Sequence, residues 1–450
     1  MNSYDSIKNQ DKELFDYIES EKKRQREGLE LIPSENYTSP AVMEAMGSIL
    51  TNKYSEGYAH KRYYNGNEFI DEIELLAINR AKKLFGVDHV NVQPYSGSPA
   101  NLAVYLATCN PGDTVMGLNL PDGGHLTHGW KVSATAIFYK SFPYHVLANG
   151  RIDMDEVWKL AKEHKPKLIW AGATAYVFKY DYAKFAEIAD SVGAYLATDI
   201  AHIAGLIVAG AHPSPVPYAH IVTTTTHKTL RGPRGGMIMV TKRGLAKDPD
   251  LGQKVDKGVF PGLQGGPHDH QTAAIAVALK EAATPAFRAY GKQIVKNAKA
   301  LAESLKKNGL KLVANGTENH LLLLDLVPVF GPGSGLFGSD ALEAAGMTAN
   351  KNTIPKDPGS PFYPSGVRLG TPALTTRGMK EKEMQKVGAW VARAILEVKE
   401  HRLPTESGAR AAYIEKFKKE LAKNQSLKAI REEIRLFTKR FPLPGEGKKL

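Results

Sequence analysis

Lys228 lies between a run of four threonines and a loop rich in glycine and arginine, within residues 223–236. Threonine is branched at Cβ and favours an extended strand, and the glycines and proline of residues 232–236 indicate a turn. A lysine amine at the end of a strand, next to His227, can form a Schiff base with an aldehyde cofactor such as pyridoxal 5′-phosphate (PLP). The alternative is an exposed basic loop, because most lysines are exposed.

Three further side chains could contact the ring of such a cofactor. Asp199 follows a predicted strand and could pair with the pyridine nitrogen, which would keep that nitrogen protonated. His202 would lie on the same side if a helical turn starts at Asp199. His125, on a loop flanked by glycines, could stack on a planar ring or could simply be exposed. Asp199 could instead cap a helix, and no metal site is predicted because further ligands are lacking.

Ser96, Gly97 and Ser98 come before a predicted apolar helix, residues 102–108. The N–H groups at a helix N-terminus bind anions, so this loop would suit the phosphate of PLP. No lysine follows in the Walker pattern, which excludes a P-loop. The alternative is an ordinary capped helix.

Two other segments could act on a substrate. Glu56 is a possible general acid or base, and Tyr54 and Tyr64 beside it could donate hydrogen bonds. A polar, solvated connection is the alternative. Arg368 lies in the turn-rich segment 360–371, where its guanidinium could bind the carboxylate of an amino acid with two hydrogen bonds or form a structural salt bridge.

Short apolar runs alternate with helical stretches from about residue 51 to residue 283. This alternation predicts an α/β fold with a mostly parallel central sheet flanked by helices, and ligands gather at the carboxyl ends of such strands. We therefore expect Asp199 and Lys228 to point into one crevice. Residues 1–50 are predicted to form a helical arm and a crossing segment, and residues 284–450 a smaller α+β domain. The predicted strands of the larger domain are residues 167–172, 194–198, 221–225 and 236–240.

The composition is that of a globular protein, with 42% hydrophobic and 24% charged residues among 450. Cys109 is the only cysteine, which excludes an intramolecular disulfide and favours a reducing compartment. With no apolar N-terminal region and no run long enough to span a membrane, we expect a cytoplasmic protein. Half of the net charge of +12 lies in residues 411–450, which could attract anions, although amphipathic surface helices explain it as well.

Together these motifs resemble serine hydroxymethyltransferase, a family of PLP-dependent transferases of fold type I, the aspartate aminotransferase-like fold. The resemblance runs from about Leu29 to Lys399. It implies reversible conversion of L-serine and tetrahydrofolate to glycine and 5,10-methylenetetrahydrofolate. The motifs that carry it are Ser34–Asn36, Asn52–Tyr58, Ser96–Ser98, Gly123–His128, Asp199–His202, Thr223–Lys228, Phe260–Pro267 and Asn350–Asn352.

The resemblance also implies a role for each cofactor residue. Lys228 would form the Schiff base, Asp199 would pair with the ring nitrogen and His125 would stack on the ring. Thr174, where serine is usual, and His202 would lie near the phenolic oxygen. The remaining PLP-binding residues would be Ser96, Gly97, Ser98, His227 and Gly262, the last contributed by the partner subunit.

Substrate and folate residues follow from the same resemblance. Glu56 would be the acid or base and would also meet the folate, and Arg368 with Ser34 would bind the substrate carboxylate. Tyr54 and Tyr64 would come from the partner subunit, so that the active site depends on a homodimer or a tetramer of dimers. The folate site would be lined by Leu120, Gly124, Leu126, Asn352, Ser360, Pro361 and Phe362.

Two alternative functions differ from this one in what they bind. A folate-independent PLP aldolase acting on threonine or other β-hydroxy amino acids would keep the fold and the cofactor. A basic RNA-binding protein without catalysis would bind no PLP, and its affinity would fall steeply with salt. The presence of Lys228, Asp199, Glu56 and Arg368 argues against nucleic acid as the partner.

Overall fold

The computed structural model describes residues 4–446, so the outer ends of the first and third predicted domains lie outside the described residues. The chain divides into two compact units. The larger unit comprises residues 41–292, and the second unit comprises the residues before and after it. The three-part division predicted from the sequence stays a prediction.

The elements are numbered in chain order. The α-helices α1 to α19 span Asp5–Gln10, Lys12–Glu27, Pro40–Met46, Glu68–Phe85, Gly97–Thr108, Ala134–Phe138, Met154–His164, Tyr182–Ser191, Ala204–Val208, Lys242–Lys247, Leu251–Val259, Asp269–Ala282, Pro285–Lys307, Val327–Phe330, Gly335–Ala344, Pro372–Thr376, Glu381–Glu397, Ser407–Leu421 and Gln425–Thr438. The strands β1 to β15 span Leu29–Glu30, Gly57–Tyr58, Lys61–Arg62, His89–Asn91, Thr114–Leu118, Lys140–Tyr144, Leu168–Gly172, Tyr195–Asp199, Ile221–Thr225, Gly236–Val240, Lys311–Leu312, Leu321–Asp325, Met347–Thr348, Asn350–Asn352 and Gly366–Gly370. Short 3₁₀-helices span Ile49–Asn52, Leu120–Asp122, Leu126–His128 and Val313–Asn315.

The larger unit contains a seven-stranded sheet in the order β4-β10-β9-β8-β7-β5-β6. Neighbouring strands from β9 to β6 are parallel, whereas β10 runs antiparallel to both β9 and β4. The connection from β9 to β10, residues 226–235, is too short for a parallel crossover, which needs a dozen residues or more. The predicted fold class, with its mostly parallel sheet, is confirmed.

The core of this sheet explains why its strands read as apolar runs. Every residue of β7 is buried, as expected for a strand covered on both faces. Tyr105 of α5, Trp170 of β7 and Ile238 of β10 belong to one buried cluster. Packing of helices against the sheet therefore fixes the ends of the strands, where the candidate site lies.

The second unit is built on a four-stranded antiparallel sheet in the order β11-β12-β15-β14, and β1 pairs in parallel with β13. Helix α19 is amphipathic, and its apolar face is buried through Leu427, Ile430, Ile434 and Phe437. Among residues 4–446, no helix is long and apolar enough to cross a membrane.

Glu30 on β1 is a buried carboxyl group, with only 5% of the residue exposed. Burial, with the neighbouring Glu35 adding to it, raises the pKa of Glu30 above its usual range. A carboxyl group whose folded pKa lies above the unfolded value stabilises the fold while it is protonated, and this stability is lost as the pH rises through the folded pKa.

We therefore expect Glu30→Gln to stabilise the protein in alkaline solution. Glutamine keeps an oxygen for the Ile32 N–H, which lies 3.0 Å from Glu30 Oε1, and carries no charge. The melting temperature of the variant should exceed that of the wild type at about pH 9 and approach it at about pH 5. A matched change of an exposed carboxylate, Glu44→Gln, should show no such trend. Equal pH dependence of all three proteins would refute the assignment.

Candidate active site

The carboxyl ends of two adjacent parallel strands bring Asp199 and Lys228 to the same edge of the sheet. Asp199 ends β8 and pairs in register with Thr223 of β9. Three residues after the end of β9, Lys228 Nζ donates a hydrogen bond to Thr225 Oγ1 at 2.8 Å. The threonines therefore supply both the strand and a hydroxyl that holds the amine, and the arrangement matches the crevice expected at this edge.

Asp199 is held as an ionised carboxylate. Its Oδ2 accepts from Asn101 Nδ2 at 2.9 Å and from His128 Nε2 at 3.3 Å, and its Oδ1 accepts from the Ala201 N–H at 3.0 Å. Burial alone would raise the pKa of Asp199, but the hydrogen bond and charge of His128, followed by His125 and Asn101, hold it well below the usual range. The Asp199 carboxylate can therefore keep a nearby basic nitrogen in its protonated form.

The turn after Asp199 differs from both sequence-based alternatives. The next helix, α9, begins only at Ala204, so Asp199 is not its cap, and residues 201–203 form a turn instead of the first turn of a helix. Asp199 Oδ1 bonds to the N–H two residues on, as in an Asx-turn. His202 is buried in this turn, and its carbonyl accepts from Thr229 Oγ1 at 2.9 Å.

His125 is neutral in this environment. Burial, followed by the charges of His128 and Lys228, lowers the pKa of His125 to about 4. Its Nδ1 lies 2.7 Å from Thr127 Oγ1 and also accepts from the Thr127 N–H at 3.2 Å. The ring is thereby fixed in place next to the Asp199 group.

The sequence prediction missed three residues that build this site, namely Asn101, Thr127 and His128. His128 has a fully buried side chain, which stacks on Trp170 with 5.0 Å between ring centroids. Thr127 and His128 belong to the Gly123–His128 motif that gave His125, and Asn101 lies three residues after Ser98, so these motifs were the available signal. The donor atoms of His125, His128 and Asp199 lie within 4.8 Å of one another, a spacing that would also suit a metal ion, although hydrogen bonds within the protein already use Asp199 and His125 Nδ1.

The predicted phosphate loop forms the beginning of α5. This helix starts at Gly97, earlier than predicted, so Ser98 lies in its first turn and Ser96 immediately precedes it. A Cβ atom at Gly97 would come within 2.7 Å of Thr225 Cγ2. Only glycine therefore lets the helix N-terminus, whose first N–H groups have no partner within the helix, approach the threonine that binds Lys228.

Two other predicted cofactor residues, His227 and Thr174, lie in the larger unit, and each side chain has at least one hydrogen-bond partner. His227 Nε2 lies 3.2 Å from Arg234 Nη1, and its buried Nδ1 has no hydrogen-bond partner among residues 4–446. Burial, followed by the charges of Lys228 and Arg234, lowers the pKa of His227 to about 3. Thr174 Oγ1 donates to the carbonyl of Gly124 at 3.0 Å and so anchors the loop that carries His125.

Glu56 forms a cluster with Tyr54 and Tyr64. The hydroxyls of Tyr54 and Tyr64 lie 3.3 and 3.5 Å from the two carboxylate oxygens, and the two rings meet edge to face at 5.1 Å. The carboxylate raises the pKa of Tyr64. Because the three side chains contact one another within one chain, we expect all three to belong to the same site. Both tyrosines are about half exposed.

The Glu56 cluster is connected to the phosphate loop through the segment that contains Gly262. A Cβ atom at Gly266 would lie 3.3 Å from the Tyr54 ring, and the Gly266 carbonyl accepts from the Tyr95 hydroxyl at 2.7 Å. Gly262 itself donates its N–H to the Lys257 carbonyl at 3.0 Å. The larger unit thus brings the cluster to the segment that is bonded to Tyr95, the residue before Ser96.

Three predicted folate residues follow β5 in the larger unit. Leu120 lines a cavity of about 670 Å³ together with His128 and Trp130. Gly124 packs directly against the Leu118 carbonyl, where no side chain would fit, and Leu126 is about half exposed. The cavity therefore shares His128 with the hydrogen bonds of Asp199.

The second unit contains the predicted carboxylate-binding residues. Arg368 lies on β15 between β12 and β14, and its Nε donates to Asn350 Oδ1 at 3.2 Å. Burial lowers the pKa of Arg368 to about 10, so the side chain is still charged at neutral pH. Ser34 lies in a turn after β1, and the Gly370 N–H bonds to the Leu31 carbonyl at 2.7 Å, which ties this segment to the end of β15.

The remaining predicted folate residues also lie in the second unit. Asn352 ends β14, and its Nδ2 donates to the Thr353 carbonyl at 2.7 Å. Ser360 Oγ accepts from the Tyr363 N–H at 3.2 Å and so closes a tight turn. This turn carries Pro361 and Phe362, and Phe362 is 82% exposed. These side chains therefore offer polar groups and one aromatic ring.

The sequence matches the family model for serine hydroxymethyltransferase over residues 7–391. Proteins named serine hydroxymethyltransferase are similar over most of their length. One from Acidothermus cellulolyticus is 53% identical over 439 residues, covering 97% of this chain and 96% of the relative. One from Sorangium cellulosum is 58% identical over 385 residues, covering 85% and 88%. One from Francisella tularensis subsp. mediasiatica is 54% identical over 408 residues, covering 90% and 95%.

Proposed function

Because this chain belongs to the serine hydroxymethyltransferase family, we propose that it interconverts L-serine and glycine and exchanges the hydroxymethyl carbon with tetrahydrofolate. The family has PLP fold type I and uses PLP and tetrahydrofolate. We propose that this chain binds both. The observation that carries the proposal is the partly buried, ionised Asp199 at the end of the strand next to that of Lys228.

The donor set of the larger unit fits PLP. Lys228 supplies an amine for the aldehyde, Asp199 a carboxylate for the ring nitrogen and the N-terminus of α5 a set of N–H groups for the phosphate. When bound, PLP supplies an electron sink for the charge that develops when the Cα–Cβ bond of serine breaks. Asp199 would keep a proton on the ring nitrogen, and His125, neutral and partly buried, would stack on the ring.

Glu56 is the proposed acid or base at the substrate hydroxyl. Tyr54 and Tyr64 bond to its two oxygens and so orient the carboxylate. Since the three groups contact one another, we propose that all three enter the same active site, contributed by the partner subunit of a homodimer. Their exposure in the single chain supports this, and sedimentation analysis at micromolar concentration should find a dimer or a larger even-numbered assembly.

Folate dependence separates this function from the aldolase alternative, which the names of the relatives do not favour. The cavity that Leu120 lines in the larger unit supports a bound pteridine. Protein, PLP, L-serine and tetrahydrofolate should yield glycine and 5,10-methylenetetrahydrofolate in equal amounts. Turnover of threonine without any turnover of serine and folate would favour the aldolase.

Arg368→Ala should weaken binding of serine. Arg368 is partly buried, so a substrate carboxylate that loses this partner would lose about 2–5 kcal/mol of binding free energy, and the Michaelis constant for serine should rise at least about thirtyfold. Steady-state kinetics with varied serine and saturating folate would measure this change. Arg393→Ala, which removes an exposed arginine paired with Glu433, is the matched control and should leave the constant unchanged. An unchanged constant in Arg368→Ala would remove Arg368 from the site.

A further inference from the structure

A chain of buried and partly buried hydrogen bonds joins Asp199 to His125 through the side chains of Asn101 and Thr127. Asn101 Nδ2 lies 2.9 Å from Asp199 Oδ2 and 2.8 Å from Thr127 Oγ1, and Thr127 Oγ1 lies 2.7 Å from His125 Nδ1. Asn101 and Thr127 are almost completely buried, at 1% and 5% exposed. In such a site the direction of each hydrogen bond is fixed by the chemistry of its partners.

The Asn101 amide can take only one orientation. An ionised carboxylate has no proton to donate, so the atom of Asn101 that faces Asp199 must be the nitrogen. The amide oxygen then faces Thr223, whose hydroxyl donates to it at 2.7 Å. The charge of Asp199 therefore determines which way the amide points.

The same logic continues to the imidazole. Thr127 Oγ1 accepts from the Asn101 amide, so its own hydrogen is available for His125 Nδ1. The backbone N–H of Thr127 also points at Nδ1, at 3.2 Å. A ring nitrogen that faces two donors must be unprotonated, which leaves Nε2 to carry the proton of the neutral ring.

We propose that Asn101 and Thr127 are positioning residues that transmit the orientation of the Asp199 carboxylate to His125 and hold its ring as the Nε2–H tautomer. The proposal deepens the proposed function and rests on it, because it treats Asp199 and His125 as the two groups that contact PLP. We call the hydrogen-bonded chain Asp199–Asn101–Thr127–His125 the relay. A proton on His125 Nδ1 would face two N–H or O–H donors, so the relay also disfavours the charged imidazolium. The His125 imidazole thus stays neutral, while the Asp199 carboxylate keeps the charge that would pair with the pyridine nitrogen of PLP.

The direct test is neutron diffraction from deuterated crystals of the full-length protein loaded with PLP. The relay predicts deuterium on Nε2 of His125, none on its Nδ1, and deuterium on Thr127 Oγ1 directed at the imidazole. Deuterium on Nδ1 would overturn the proposal. The result concerns proton positions and not turnover, so it can be interpreted even if the protein fails to transfer a hydroxymethyl group. The predicted deuterium positions without turnover would refute the proposed function and still support the relay.

Variants provide a second readout. In Thr127→Val the hydroxyl is lost at nearly constant volume, so solid-state ¹⁵N spectra of histidine-labelled protein should show a new Nδ1-protonated fraction of His125. The dissociation constant for PLP should rise about fivefold, the loss of one buried hydrogen bond. Thr127→Ser should restore both properties.

Thr108→Val is the matched control, since it removes a buried hydroxyl of α5 that bonds to the Val104 carbonyl, away from the relay. It should leave the His125 spectrum and the PLP constant as in the wild type. A His125 spectrum that is unchanged in Thr127→Val, or changed equally in Thr108→Val, would contradict the relay.

Discussion

Replacing Lys228 with alanine should abolish turnover and the absorbance band of covalently bound PLP. The amine donates to Thr225 Oγ1, the side chain that Gly97 of α5 approaches, and we propose that this amine bonds to the aldehyde of the cofactor. Removing a covalent partner eliminates a chemical step instead of weakening a contact, so we expect this variant to have the largest effect. Absorbance spectroscopy of the purified protein with added PLP, together with the serine and folate assay, measures both properties.

Two further substitutions separate the amine from its charge. Lys228→Arg keeps a positive charge but cannot form the bond, and it should be as inactive as the alanine variant. Lys254→Ala removes a half-exposed lysine that pairs with Asp248, and it should retain both the band and the activity. Wild-type turnover in either variant of Lys228 would show that another lysine holds the cofactor.

Asp199→Asn should lower kcat by at least about a hundredfold, the usual cost of losing one preorganised electrostatic group. Asparagine has the same shape, and an oxygen at the Oδ2 position can still accept from Asn101 and His128, at the cost of the hydrogen bond from the Ala201 N–H. The variant should therefore fold and bind PLP, while the ring nitrogen loses the charge that keeps it protonated. The pH dependence of the cofactor absorbance would report that lost proton directly.

The control is Asp190→Asn, which removes an exposed carboxylate paired with Arg243 in the same unit. Its kcat should match that of the wild type. Because the folded pKa of Asp199 is depressed, the wild type should hold this charge throughout the neutral range, and no loss of activity near pH 5 should come from it. An Asp199→Asn variant with full activity would mean that its carboxylate does not face the ring.

The strands of the large sheet could be predicted from the sequence because they are buried on both faces. Residues 221–225 and 236–240 are β9 and β10 as predicted, and the predicted strand at 167–172 corresponds to β7. The antiparallel direction of β10 was not predicted, since it follows from the length of a connection rather than from the pattern of the strand.

The candidate site could be predicted only in part. Asp199 follows an apolar run and Lys228 follows a run of β-branched threonines, and both patterns predict a strand end. Asn101, Thr127 and His128 contact Asp199 or each other across long sequence separations, and no local pattern reveals which buried polar side chains meet.

Other differences arose where tertiary contacts outweigh local preference. The helix α5 begins five residues before its predicted start, because Gly97 and the small residues after it fit against β9. The turn after Asp199 is an Asx-turn and not a helix N-terminus, since Asp199 uses one oxygen locally and the other in the buried network. In both places the packing of residues from distant segments decides the local structure.

The most direct test of folate-dependent transfer is the absorbance spectrum of the PLP-loaded protein with glycine, recorded before and after tetrahydrofolate is added. A long-wavelength band should grow strongly when tetrahydrofolate is present, and it should be absent in Lys228→Ala. A spectrum that does not change on adding tetrahydrofolate, or a protein that stays colourless with PLP, would contradict folate-dependent transfer.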